Sequence, residues 1–130
     1  MDLSKAAQDE LVLKAQAVRL NAYCPYSGFA VGAALLAESG RIYLGANCES
    51  VSFGGTICAE RAALTSAVSA GERSFTALAV AADKPVSPCG ICRQLLFEFG
   101  DIIVLSASAQ GEAVKITTLS ALLPAAFSEF

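Results

Sequence analysis

Two short runs hold the residues best suited to chemistry. The first, 58-CAER-61, sets a thiol, a carboxylate and a guanidinium at the head of the otherwise bland segment 56-TICAERAALTSAV-68. The second, 88-PCGICR-93, puts two more thiols and another arginine at the head of a second apolar segment. Three thiolates gathered at one point suit Zn²⁺, whose catalytic form keeps three protein ligands and one open position. Cys58, Cys89 and Cys92 are the candidate ligands. Three thiolates leave such a centre net negative and weaken it as a Lewis acid. Arg61 and Arg93 each follow a cysteine motif directly and are expected to donate to the sulfurs and offset that charge. Glu60, two residues past Cys58, would stand beside the metal and carry a proton from water to substrate.

Each of these residues also has a plainer role. A C-x-x-C at a helix start suits thiol–disulfide exchange. A structural zinc site would need a fourth ligand, and with no histidine in the chain only Cys24 or Cys48 could supply it. Either of those two is otherwise a small buried hydrophobe, and Glu60 alone would be a first-turn carboxylate favoured by the helix dipole. Taken together the pattern is narrower. C-x-E followed 28 residues after the glutamate by P-C-x-x-C is the zinc deaminase signature in its cysteine-only form.

These runs need elements that bring them to one place. Ser4 can cap a helix reaching about Ala22, with Leu11, Ala15, Val18 and Ala22 on one face, stopped by 24-CPYSG-28. Strands over 29–37 and 41–47 flank a Glu38-Ser39-Gly40 turn and form a hairpin. A helix carries 58-CAER-61 and ends near Gly71. The continuously apolar 75-FTALAVAA-82 is a strand covered on both faces. A helix over 89–99 is closed by Gly100, and strands 102–107 and 113–117 are joined by a short turn over 108–112 and so run antiparallel. A terminal helix over about 118–123 stops at Pro124. The order α-β-β-α-β-α-β-β-α implies parallel central strands with helices on both faces. The expected fold class is α/β, a three-layer α/β/α sandwich with a five-stranded mixed sheet. In such a sheet the two cysteine-bearing helix starts gather at the carboxyl ends of the strands.

Bulk composition limits the rest. The 130 residues, with no repeat or linker, form a single domain over 1–130. A content of 55% hydrophobic residues and a mean hydropathy of +0.55 is high for so small a chain and points to buried subunit interfaces. The longest apolar runs, such as 29-FAVGAALLA-37, are too short to span a membrane. The first residues lack the apolar core of a signal peptide, and five cysteines are an odd number, so a cytoplasmic location is expected. A net charge of −3 with scattered Lys and Arg offers no footprint for nucleic acid.

The chain resembles the small, free-nucleoside cytidine deaminases in five ordered blocks: 25-PYSGFAVGAAL-35, 47-NCES-50, 58-CAER-61, 87-SPCGICRQLLFEF-99 and 122-LLPAAF-127. The resemblance implies zinc on Cys58, Cys89 and Cys92, Glu60 as proton shuttle, and deamination of cytidine and 2′-deoxycytidine in pyrimidine salvage. It implies that Asn47 and Glu49 hold the ribose, that Phe29 lines the base pocket and that the Ala59 N–H binds the pyrimidine carbonyl. It further implies a homotetramer with shared sites, in which Phe127 covers the base in an adjacent subunit. Two departures stand out. In 49-ESVSFG-54, Ser50 replaces an asparagine, and Phe53 replaces a tyrosine expected to reach the sugar 5′ end across a subunit boundary. Ile91 stands where a small residue is frequent. A blasticidin-S-type deaminase resembles the same motifs, but Asn47, Glu49, Arg61 and Phe127 favour the nucleoside enzyme. The antiparallel last hairpin and the acidic charge disfavour a nucleic-acid deaminase.

Overall fold

The structure, a computed structural model, describes residues 3–111 and 114–129. Helix α1 (Lys5–Val18) begins at Ser4, whose hydroxyl accepts from the Ala7 N–H at 3.1 Å. It stops four residues short of the expected end. Arg19–Asn21 tightens into a 3₁₀ turn, so the buried face is Leu11, Val12 and Ala15, and Ala22 lies outside the helix. Strands β1 (Gly32–Ala37) and β2 (Ile42–Ala46) form the hairpin. Phe29, expected at the start of β1, lies in the loop before it.

Helix α2 (Ala59–Ser69) follows, then β3 (Phe75–Ala82), α3 (Gly90–Phe97), β4 (Ile103–Ser108), β5 (Val114–Thr118) and a short α4 (Leu119–Leu122). The order matches the expected one, apart from short 3₁₀ turns at 19–21 and 53–55. Of the expected last turn and strand, residues 112 and 113 lie outside the described residues.

The sheet runs β2-β1-β3-β4-β5. Among the strands of the described residues, β3 and β4 alone pair in parallel; β1 is antiparallel to both its neighbours, and β5 is antiparallel to β4. The parallel centre inferred from the sequence is therefore a single pair, because the hairpin inserts β1 between β2 and β3. That insertion still leaves β2 and β3 pointing the same way. Gly32 pairs with Ala46 on one side and Ala81 on the other, so the carboxyl ends of β2 and β3 are level. The loops into α2 and α3 consequently leave the sheet side by side.

Period-two alternation splits the core. Ala33, Leu35, Leu78, Val80 and Val104 face α2, α3 and α4; Ala34, Ala77, Ala79, Leu105 and Ala107 face α1. Two glycines set the layer spacing. A Cβ on Gly45 would lie 2.3 Å from the Ala59 carbonyl and 2.5 Å from the Ala63 nitrogen, and one on Gly32 would lie 2.1 Å from the Ala15 carbonyl. The first turn of α2 thus rests directly on β2.

Candidate active site

Cys58 is the N-cap of α2 and Cys89 the N-cap of α3, and neither side chain caps its own helix. Both sulfurs are therefore turned to other partners. Cys58 Sγ lies 3.9 Å from Cys89 Sγ, and Cys89 Sγ lies 3.5 Å from Cys92 Sγ. All three sulfurs fall within 4.8 Å of one another, from an exposed Cys89 to a buried Cys92. Three sulfurs about 2.3 Å from one tetrahedral zinc would sit roughly 3.8 Å apart, so the spacing fits that ion. Cys24 and Cys48 do not join the group. Cys48 instead bridges Tyr23 and Ile57 through its backbone.

Electrostatics makes the same point. Burial, with the charges of Glu60 and Cys58 close by, pushes the Cys92 thiol far up. Burial also raises Cys58, against the Arg61 guanidinium, with Glu60 and Cys89 adding to the rise. Burial raises Cys89 as well, but the N–H groups of Cys92 and Ile91 and the neighbouring thiols outweigh it, leaving this thiol below its ordinary value. Three thiols this close become thiolates together only around a cation. Arg61 is placed for that state: its Nη2 donates to the Thr56 carbonyl at 3.1 Å and reaches Cys58 Sγ at 3.7 Å. Its Nε is buried with no hydrogen-bond partner among the described residues.

Arg93 does something different from the donation to sulfur expected of it. Its Nε donates to the Pro88 carbonyl and its Nη1 to the Leu122 carbonyl, both at 2.6 Å. The side chain thus links the start of α3 to α4 through backbone carbonyls.

A cavity of about 320 Å³ opens beside the sulfurs, lined among others by Phe29, Asn47, Glu49, Ala59, Glu60 and Cys89. Glu60 is 5% exposed, and burial pushes its carboxyl above the ordinary 4.5, against its own N–H and the Arg61 charge. Ala59 opens α2, where helix amides have no intrahelical acceptor. Asn47 is not a solvated strand end: its Oδ1 accepts from the Val31 N–H and its Nδ2 donates to the Phe29 carbonyl, each at 2.9 Å. Glu49 closes the 24–28 loop, with Oε1 accepting from the Tyr26 and Ser27 N–H groups and Oε2 from the Ser27 hydroxyl. The Ser27 hydroxyl bond in particular holds this carboxyl below its ordinary value.

Phe53 and Phe127 lie outside this cavity. Phe53 is 74% exposed and meets Tyr26 edge-on, with ring centres 6.2 Å apart. Phe127 is 67% exposed, and its carbonyl accepts from Gln94 Nε2 at 2.7 Å. Ser27 and Thr56 also line the cavity, and neither carries a chemical signal in the sequence. Ser27 sits in a turn motif, where a serine carries no signal beyond the turn.

Residues 5–107 match the family described as the cytidine and deoxycytidylate deaminase zinc-binding region. A cytidine deaminase of Sporosarcina psychrophila is 50% identical over 93% of this chain and 91% of its own length. One from Halalkalibacterium halodurans is 48% identical over 91% and 92%. The crystal structure of cytidine deaminase from Burkholderia pseudomallei superposes with a TM-score of 0.87 at 42% identity, covering 96% of this chain and all of that one. The chain belongs to the cytidine deaminase family. The matched family region is a zinc-binding one, and the three-thiol cluster is consistent with one zinc per chain. Among the described residues, no helix is long and apolar enough to cross a membrane.

Proposed function

We propose that this chain hydrolyses cytidine and 2′-deoxycytidine to uridine and 2′-deoxyuridine with release of ammonia, as a cytoplasmic homotetramer in pyrimidine salvage. One observation carries the proposal: a buried carboxyl, Glu60, and two members of the three-sulfur group, Cys58 and Cys89, share the wall of a nucleoside-sized cavity. Family membership supports it.

Cys58, Cys89 and Cys92 would hold the zinc. When bound, the ion supplies Lewis acidity and, with three protein ligands, one open position. Glu60 takes a proton from the attacking water and delivers it to ring N3 as C4 is hydrated, then serves the departing ammonia. Its raised pKa suits a group that must both accept and return a proton near neutral pH. The Ala59 N–H orients the pyrimidine carbonyl, and Phe29 packs on the base. Glu49 keeps acceptor capacity for a ribose hydroxyl beyond its loop bonds, and Asn47 has one amide hydrogen beyond its bond to Phe29.

A dithiol redox protein is not favoured, because the cluster holds three thiols rather than an isolated pair. Loss of ultraviolet absorbance on adding cytidine, abolished by a zinc chelator and restored by zinc, is the expected result. Absorbance loss with blasticidin S and none with cytidine would overturn the substrate assignment.

A further inference from the structure

Arg93 holds the backbone on both sides of one metal ligand. Its side-chain Nε donates to the carbonyl of Pro88, immediately before Cys89, at 2.6 Å. Its backbone N–H donates to the carbonyl of Cys89 itself at 2.9 Å. The two peptide units that fix where Cys89 points are thus anchored to a single residue. Pro88 is fully buried, so its carbonyl has little access to water as a substitute partner. The other arm of the fork, Nη1, donates to the Leu122 carbonyl at 2.6 Å. One residue on, Gln94 holds the Phe127 carbonyl at 2.7 Å. Helix α3, which carries two of the three sulfurs, therefore grips the C-terminal segment at two points.

We propose that Arg93 is a positioning residue for the metal centre, a two-carbonyl clamp that fixes the Cys89 ligand and ties it to the 122–127 segment. It acts through backbone geometry: its side chain bonds carbonyls, while Arg61 is the arginine that reaches a sulfur. The proposal rests on the zinc-enzyme reading above only in requiring that these sulfurs hold the metal. Cys89 needs such a clamp because it is the most exposed of the three ligands and sits at a helix cap, where no preceding turn restrains it.

The test compares Arg93→Gln, Arg93→Lys and Arg61→Gln with the parent protein, using chelator-driven zinc release, thermal unfolding and the visible spectrum of the Co²⁺-substituted form. For Arg93→Gln, zinc release about 10–100-fold faster is expected, with an altered thiolate-to-cobalt spectrum. Arg93→Lys keeps the charge but offers one nitrogen where the two carbonyls are met by two, so partial recovery is expected. Full recovery in Arg93→Lys would overturn the clamp in favour of charge alone. Zinc release and a cobalt spectrum at parental values in Arg93→Gln would overturn any positioning role. An Arg93→Gln protein whose melting point falls with no change in either metal readout would show a purely structural residue and overturn the proposal equally. Should the parent hold zinc yet leave cytidine untouched, the substrate assignment falls while these metal readouts still decide the role of Arg93.

Discussion

Glu60 is a carboxyl kept out of water beside three sulfurs, and its environment and proposed work agree. A burial-raised pKa costs folding free energy, and a purely structural first-turn glutamate would avoid that cost by facing solvent. Glu60→Gln preserves shape and removes the proton carrier. Turnover of cytidine is expected to drop by about 10²–10⁴-fold with one zinc per chain retained, as atomic absorption would measure; normal turnover in that variant would refute the assignment. Arg61→Ala removes the donor at Cys58 Sγ, and zinc affinity is expected to weaken about 10–100-fold in a chelator competition. At this scale the sequence was legible where chemistry depends on residue type: three cysteines, a glutamate and their spacing. It misled where function depends on which atom a long side chain reaches. Arg61 and Arg93 occupy matching places after their motifs, yet one meets sulfur and the other meets carbonyls. Only the packing of α4 against α3 decides that. Asn47 likewise shows its loop-pinning bonds only once the 29–31 loop is in place.

Among the elements, the start of α2 is set by β2. Gly45 admits the Ala59 carbonyl and the Ala63 nitrogen into contact with the strand. A methyl group there must push the first turn outward, and with it Cys58 and Glu60. Gly45→Ala is expected to cost about 1–3 kcal/mol in urea unfolding and to weaken zinc binding together with stability. Parental stability and zinc affinity would show that α2 has slack. The far end of α2 gives a pH prediction. Glu72 accepts from the Ser39 hydroxyl at 2.7 Å and from Tyr43 OH at 2.9 Å, and these bonds hold its carboxyl below the ordinary 4.5. A depressed folded-state pKa adds stability above the unfolded value, and that contribution is lost as pH falls through the folded one. The parent should therefore unfold at higher urea than Tyr43→Phe near pH 7, with the gap narrowing on acidification below about 4. A gap that stays constant from neutral to acidic pH would assign the effect to packing. Element order was legible because apolar periodicity and glycine stops are local signals. The antiparallel β1–β3 pairing was not, since nothing local states which edge of the hairpin faces β3.

For the whole molecule, the high apolar content now has an address. Val51, Phe53, Ile91 and Phe127 are all exposed on the isolated chain, and exposed apolar side chains, where they form a patch, mark an interaction surface. Phe127 lies outside its own chain's cavity, while Gln94 and Arg93 hold the segment that carries it. That arrangement makes sense if the ring completes a neighbour's site, and this can be tested by complementation. Glu60→Gln subunits lack the proton carrier but present a normal Phe127. Phe127→Ala subunits keep Glu60 but present no ring. Each homo-oligomer should be impaired, the first in kcat and the second chiefly in KM. In mixed oligomers some sites combine an intact Glu60 with a neighbour's intact Phe127, so activity at low cytidine should exceed the sum of the two parents. Light scattering on the same samples should give a mass about four times the 13.4 kDa of one chain. Strict additivity in a mixture shown by mass spectrometry to contain both subunits would mean that Phe127 serves its own chain or none. The shared-site reading would then fail even if the tetramer stood.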